Sequence, residues 1–205
     1  MDGLELLKKD WKNQEENLPH FEAEQLYKML LKRSSSIVKW IFIISLIELS
    51  FGILLNLFFM DKQFWKEVDS IHLKTTTIVI YVLSYIITAA FIVFFYKRYR
   101  NISVADSSFQ LMKNILKTRK VVKCYILYVL VSSGITMMLF YIYTLLYTPA
   151  ISKNLEEISW LSIISIGVVS ILLFLLILWG AYSLLYGILL KRLLRNYKEL
   201  KNLDF

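Results

Sequence analysis

The chain has 205 residues, 57% of them hydrophobic and 15% aromatic, with 24 Lys and Arg against 16 Asp and Glu and a formal charge of +8. The apolar share exceeds the globular norm and is gathered in long runs, which sets aside an ordinary soluble domain. One cysteine (Cys124), two distant histidines (His20 and His72) and the absence of a P-loop, dinucleotide fingerprint or nucleophile elbow argue against an enzyme, a cofactor or a bound metal.

Residues 1–36 contain Asp2, Glu5, Asp10, Glu15, Glu16, Glu22 and Glu24 and no apolar core of a signal peptide, so the first membrane segment is expected to target the chain and stay uncleaved. Two short amphipathic helical patterns fill this stretch. Leu4, Leu7 and Trp11 share one helical face; Pro19 interrupts; then Ala23, Leu26 and Leu30 repeat the spacing, widened by Tyr27 and Leu31. Glu24 and Lys28 form a favourable i, i+4 pair. Leu4, Leu7, Trp11, Leu26, Tyr27 and Leu30 are therefore candidate docking residues for a cytoplasmic protein, on a segment that otherwise lies against the membrane domain or the lipid. Ser34-Ser35-Ser36 reads as a joint, and Lys39 and Trp40 as interfacial anchors.

Four apolar spans follow, about 41–59, 77–96, 124–147 and 160–190. The last is a run of 31 residues without a charge. At 1.5 Å per residue it extends roughly 46 Å, more than the ~30 Å hydrocarbon core, so it must tilt or project. The expected architecture is all-α: a polytopic four-helix membrane bundle over residues 37–190, preceded by the cytoplasmic helices of 1–36 and followed by a basic tail, 191–205. The loop 97–123 carries Ser107 and Gln110 at capping-box spacing. Leu111, Met112, Ile115 and Leu116 then share a face, a pattern expected to lie as an amphipathic helix on the inner leaflet.

Charge sets the orientation. Residues 1–40, 97–123 and 191–205 hold seven, eight and five Lys or Arg, whereas 60–76 and 148–159 hold three and one. Twenty against four is a strong positive-inside bias, which predicts a multi-pass protein of the bacterial inner membrane with both termini cytoplasmic. The same placement accounts for the net positive charge without nucleic acid.

Glu48 is the one charge inside a span, where a carboxylate is costly to hold. Ser45, Glu48, Gly52 and Asn56 fall within an arc of about 80° and form one face of the first span. Thr77, Tyr81, Ser84 and Thr88 form a counterpart in the second, and Tyr125, Tyr128, Ser132 and Thr136 in the third. Gly180, Ser183 and Gly187 do so in the fourth. Small and hydroxyl residues at such spacing let membrane helices approach and hydrogen-bond, within one chain or between two copies of it. Glu48 lies roughly 10 Å beyond Ile41, and Thr88, Ser132, Tyr182 and Ser183 are at matching depth. The expectation is an inward polar cluster of Ser45, Glu48, Gly52, Asn56, Thr88, Ser132, Tyr182 and Ser183 that locks the bundle; the rival reading is a small transporter or channel component using the Glu48 face. Against transport, no second membrane carboxylate and no Gly/Pro-broken helix is present.

The run YKMLLKRSSSIVKWIFIISLIE, Tyr27 to Glu48, with the element LKKDW at Leu7 to Trp11, resembles a group of small four-helix membrane proteins of Bacteroidetes. The resemblance extends over the chain and is most specific in the N-terminal third. Members are often encoded beside extracytoplasmic-function sigma factors, which implies a membrane-anchored regulatory role with such a factor as partner. Some bear the name β-carotene monooxygenase. Those oxygenases hold iron with four histidines, and this chain has two.

Overall fold

The computed structural model describes residues 23–105, 107–147 and 160–203. They form helices α1 (Ala23–Phe59), α2 (Lys62–Ser70), α3 (Lys74–Ser103), α4 (Ser108–Tyr147) and α5 (Trp160–Leu203), with no strand among the described residues. Four of the five are long and apolar enough to cross a membrane, as the four apolar runs require. Helix is what such sequence must form in lipid, because only a helix satisfies its backbone groups within the segment.

The helices are much longer than the spans. α1, α4 and α5 hold 37, 40 and 44 residues, about 56, 60 and 66 Å of rise. All the excess lies at one end, where the Lys and Arg of 23–40, 97–123 and 191–203 collect; we call it the basic end. Three boundaries expected from the sequence are thereby corrected. The chain has no joint at Ser34–Ser36: α1 runs through it unbroken. Tyr27, Leu30, Ser34, Ile37, Ile41, Ser45 and Glu48 follow one another at steps of three or four residues, so docking segment and span share a single inward stripe. Ser34 is fully buried, and its Oγ accepts a hydrogen bond from Asn196 Nδ2 at 3.0 Å, which removes the usual conflict between serine and helix.

The second correction concerns 97–123. This stretch is the end of α3, a tight reversal and the start of α4, rather than a helix on the leaflet. Ser107 Oγ does accept from Gln110 N at 3.2 Å, as the capping spacing predicts. Leu111 and Ile115, however, are completely buried among the other helices, with Met112 partly covered and Leu116 left outside. Third, the segment after 190 is no free tail: α5 persists to Leu203, and Tyr186, Leu190, Leu193 and Leu200 are buried at heptad spacing.

Cross-helix bonds give the topology. Tyr27 at the start of α1 donates to the carbonyl of Ala105 just past α3 (2.7 Å), and Asn56 near the end of α1 bonds Tyr85 of α3. Tyr141 of α4 donates to Ile163 O of α5 at 2.6 Å. Consecutive long helices are therefore antiparallel. α1 packs on α3, α3 on α4, α4 on α5 and α5 back on α1, which closes an up-down-up-down bundle. α1 and α4 stand on one diagonal.

At the far end the connection between spans one and two contains α2. Asp61 caps it, accepting from Phe64 N at 2.8 Å. Val68, Ile71 and Leu73 bury a small cluster against Phe64, Phe140 and Tyr143. His72, at φ 57°, takes the left-handed conformation that turns the chain from α2 into α3, and its ring meets Tyr147 edge-on at 5.0 Å.

Candidate functional site

Glu48 sits where the packed basic end gives way to the membrane half. The stripe spacing of α1 turns it inward, and two tyrosines one turn apart on α5 meet it. Tyr182 Oη donates to Glu48 Oε1, and Tyr186 Oη donates to Oε2 at 3.1 Å. Each oxygen of the Glu48 carboxyl group thus has a phenol donor. The two rings are stacked, with centroids 5.8 Å apart and planes within 9°. Tyr125 of α4 is fully buried and stands edge-on to both, at 6.3 and 6.1 Å. Phe91 and Phe95 of α3 pack on Tyr125 in turn, so an aromatic layer from three helices fixes the phenols that hold Glu48.

Beyond this layer a cavity of about 490 Å³ opens between α1, α3 and α4, with Phe174 of α5 at its side. Its wall holds Glu48, Gly52 and Asn56 from α1, and Tyr81, Ser84, Tyr85 and Thr88 from α3. From α4 it takes Tyr125, Tyr128, Ser132, Ser133 and Thr136. Because α1 and α4 are diagonal neighbours, a space lined by both is the interior of the bundle. The Asn56–Tyr85 bond ties α1 to α3 across its far part.

The sequence-predicted cluster is thus divided. Glu48, Gly52, Asn56, Thr88 and Ser132 come together around the cavity. Ser45 is buried one turn toward the basic end and donates to the Phe42 carbonyl of its own helix at 2.7 Å, so it lines no cavity. Tyr182 reaches Glu48 directly, while Ser183 points out of the bundle, because the inward stripe of α5 runs through 182, 186 and 190. The serine–glycine face expected on α5 is displaced for the same reason. Thr88 and Ser132 share the cavity with Glu48, but tyrosines are its hydrogen-bond partners.

Sequence reasoning passed over Tyr85, Ser133 and Tyr186. Tyr186 had a signal: it stands one turn after Tyr182, and phenols at i, i+4 can reach both oxygens of one carboxylate. Among the docking candidates, Leu4, Leu7 and Trp11 lie outside the described residues. Leu30 is 5% exposed and Tyr27 donates to Ala105, so both pack into the bundle; Leu26 and the edge of Leu30 line an open groove. Among the described residues no group of three His, Cys, Asp or Glu could hold a metal ion.

A bundle of four long helices with apolar outer faces, each long and apolar enough to cross a membrane, defines an integral membrane protein. The chain belongs to the family described as Domain of unknown function (DUF8845), whose model matches residues 24–205. No curated protein and no solved structure matches it.

Proposed function

We propose that the protein works at the bacterial inner membrane, with both termini in the cytoplasm, as a non-enzymatic regulator. In this reading it restrains a cytoplasmic partner, such as a sigma factor, at the membrane. The observation that carries the reading is the length of the bundle. Tyr27 bonds the α3–α4 reversal at Ala105, roughly 20 Å beyond Ile41 by helical rise. Four packed helices therefore reach well past the spans, and Val104 at the reversal and Phe109 in the first turn of α4 are 61% and 71% exposed. An apolar tip on a rigid basic stalk suits a protein partner better than a bilayer from which it is held away. The stalk also joins the Glu48 layer without a break, so a change at that layer has a continuous helical route to the tip.

Orientation is tested with reporter fusions at residues 70 and 110; an external reporter active at 110 overturns it. The role is tested by cross-linking and pull-down from native membranes. Val104→Ser with Phe109→Ser, or truncation of residues 1–22, which leaves α1 whole, should lose a cytoplasmic partner that the intact chain retains. Retention of the same partner by both variants overturns the restraint reading.

The cavity favours a second reading, a small transporter or channel component. Glu48→Gln that folds but abolishes proton-linked flux in reconstituted vesicles supports it, and unchanged flux removes it.

A further inference from the structure

We propose that the groove between α1 and α5 at the basic end binds an anionic phospholipid, with its phosphate among Arg33, Arg192 and Arg195 and its acyl chains running past Trp40 and Leu189 into the bilayer. The groove measures about 1300 Å³ and is open on the outside of the bundle. It runs from Trp40 and Leu189, where α1 and α5 leave their apolar spans, outward to Glu199.

Three features point to a lipid phosphate. First, cations outnumber acids: Lys32, Arg33, Arg192 and Arg195 line the groove with Glu199. Second, that one carboxylate is shared by two guanidiniums from different helices. Arg33 Nη1 lies 3.9 Å and Arg195 Nε 3.7 Å from its two oxygens. Both distances are at the outer limit of an ion pair, and the side chains are 50%, 57% and 41% exposed for Arg33, Arg195 and Glu199. Glu199 therefore gathers the arginines without neutralising them. Guanidinium forks match a phosphate bidentately.

Third, the depth fits. Arg192 follows Leu189 by about one helical turn, which is headgroup depth beside a hydrocarbon core ending near Leu190. Arg195 and Arg33 stand about a turn further out, and their long side chains can rise toward the same phosphate. Trp40, 55% exposed at the entry to the apolar span, offers an indole where the acyl chains begin. A soluble acidic peptide would leave that indole and Leu189 facing lipid; a phospholipid covers both.

The test uses the full chain in mild detergent, with native mass spectrometry and titration of phosphatidylglycerol against phosphatidylcholine. The intact chain should prefer phosphatidylglycerol. The triple variant Arg33→Gln, Arg192→Gln, Arg195→Gln should bind it roughly tenfold more weakly. Lys113→Gln, Lys117→Gln, Lys120→Gln removes the same charge from exposed positions on α4 and should leave binding unchanged. If the triple variant does not elute as a folded species, Arg192→Lys, which keeps the charge and loses the fork, should still weaken binding severalfold. Equal binding of the two lipids, an equal loss in the α4 control, or displacement of the lipid by millimolar inorganic phosphate overturns the proposal.

Discussion

The two halves of the bundle are built from the same four helices by different forces. In the basic half, Leu30, Val38, Ile41, Ile102, Leu111, Ile115, Val122, Leu193 and Leu200 form a continuous buried core, most of them with no exposed surface. Water drives this packing, since apolar side chains there have nowhere else to go. In the other half, Leu54, Leu57, Phe58, Val82, Ile86, Leu127, Leu172 and Leu176 point outward, and the interior holds a cavity into which polar side chains of α1, α3 and α4 are set among apolar ones. Lipid is as apolar as leucine, so helices in it are drawn together by hydrogen bonds and close contact at small residues. Gly167, buried against the ring of Tyr141, is such a contact between α4 and α5. A chain can thus be tightly packed at one end and hold an open site at the other.

The largest effect should come from the water-packed core. Leu193→Ala removes a fully buried side chain and should destabilise by about 2–5 kcal/mol in chemical denaturation from mixed micelles. Leu176→Ala, on the lipid face at 66% exposure, should fall within about 0.5 kcal/mol of the parent. Similar losses for the two would erase the contrast between the halves.

At the boundary, Glu48→Leu leaves the hydroxyls of Tyr182 and Tyr186 without their acceptor. That should destabilise by about 1–3 kcal/mol. Glu48→Gln keeps an acceptor and should lose less than half as much, read by thermal unfolding in detergent. Equal losses would mean that the site is maintained by packing alone.

Two hydrogen bonds then compare the halves directly. Asn196→Ala removes the buried bond to Ser34 in the basic half and should destabilise by about 1 kcal/mol. Asn56→Ala breaks the bond to Tyr85 in the membrane half and should destabilise by about 0.6 kcal/mol, because the unfolded chain in a membrane also finds partners. The reverse order, measured in one detergent, would contradict the assignment of the boundary.

Much of this was legible in residue patterns. The number of spanning helices, the uncharged spans, the polar faces of α1, α3 and α4, and the inward turn of Glu48 all follow from runs and periods along the chain. Less legible was where a helix stops. A serine triplet reads as a joint, yet the heptad passing from Leu30 through Ser34 to Ile41 shows no break, and only Asn196 arriving from α5 makes a buried serine acceptable there. The amphipathic face of Leu111 and Ile115 could cover lipid or protein equally well by composition. The helices packed around them decided for protein.

What the sequence determined by itself, then, was local: spans, faces and the isolation of one carboxylate, because hydropathy and helical period are properties of consecutive residues. That Tyr186 joins Tyr182 at Glu48 while Ser183 turns away, and where the cavity opens, were decided only by the bundle. Those outcomes depend on the relative rotation and depth of α1 and α5, whose contacting residues lie about 135 positions apart, and no run of neighbours encodes that register.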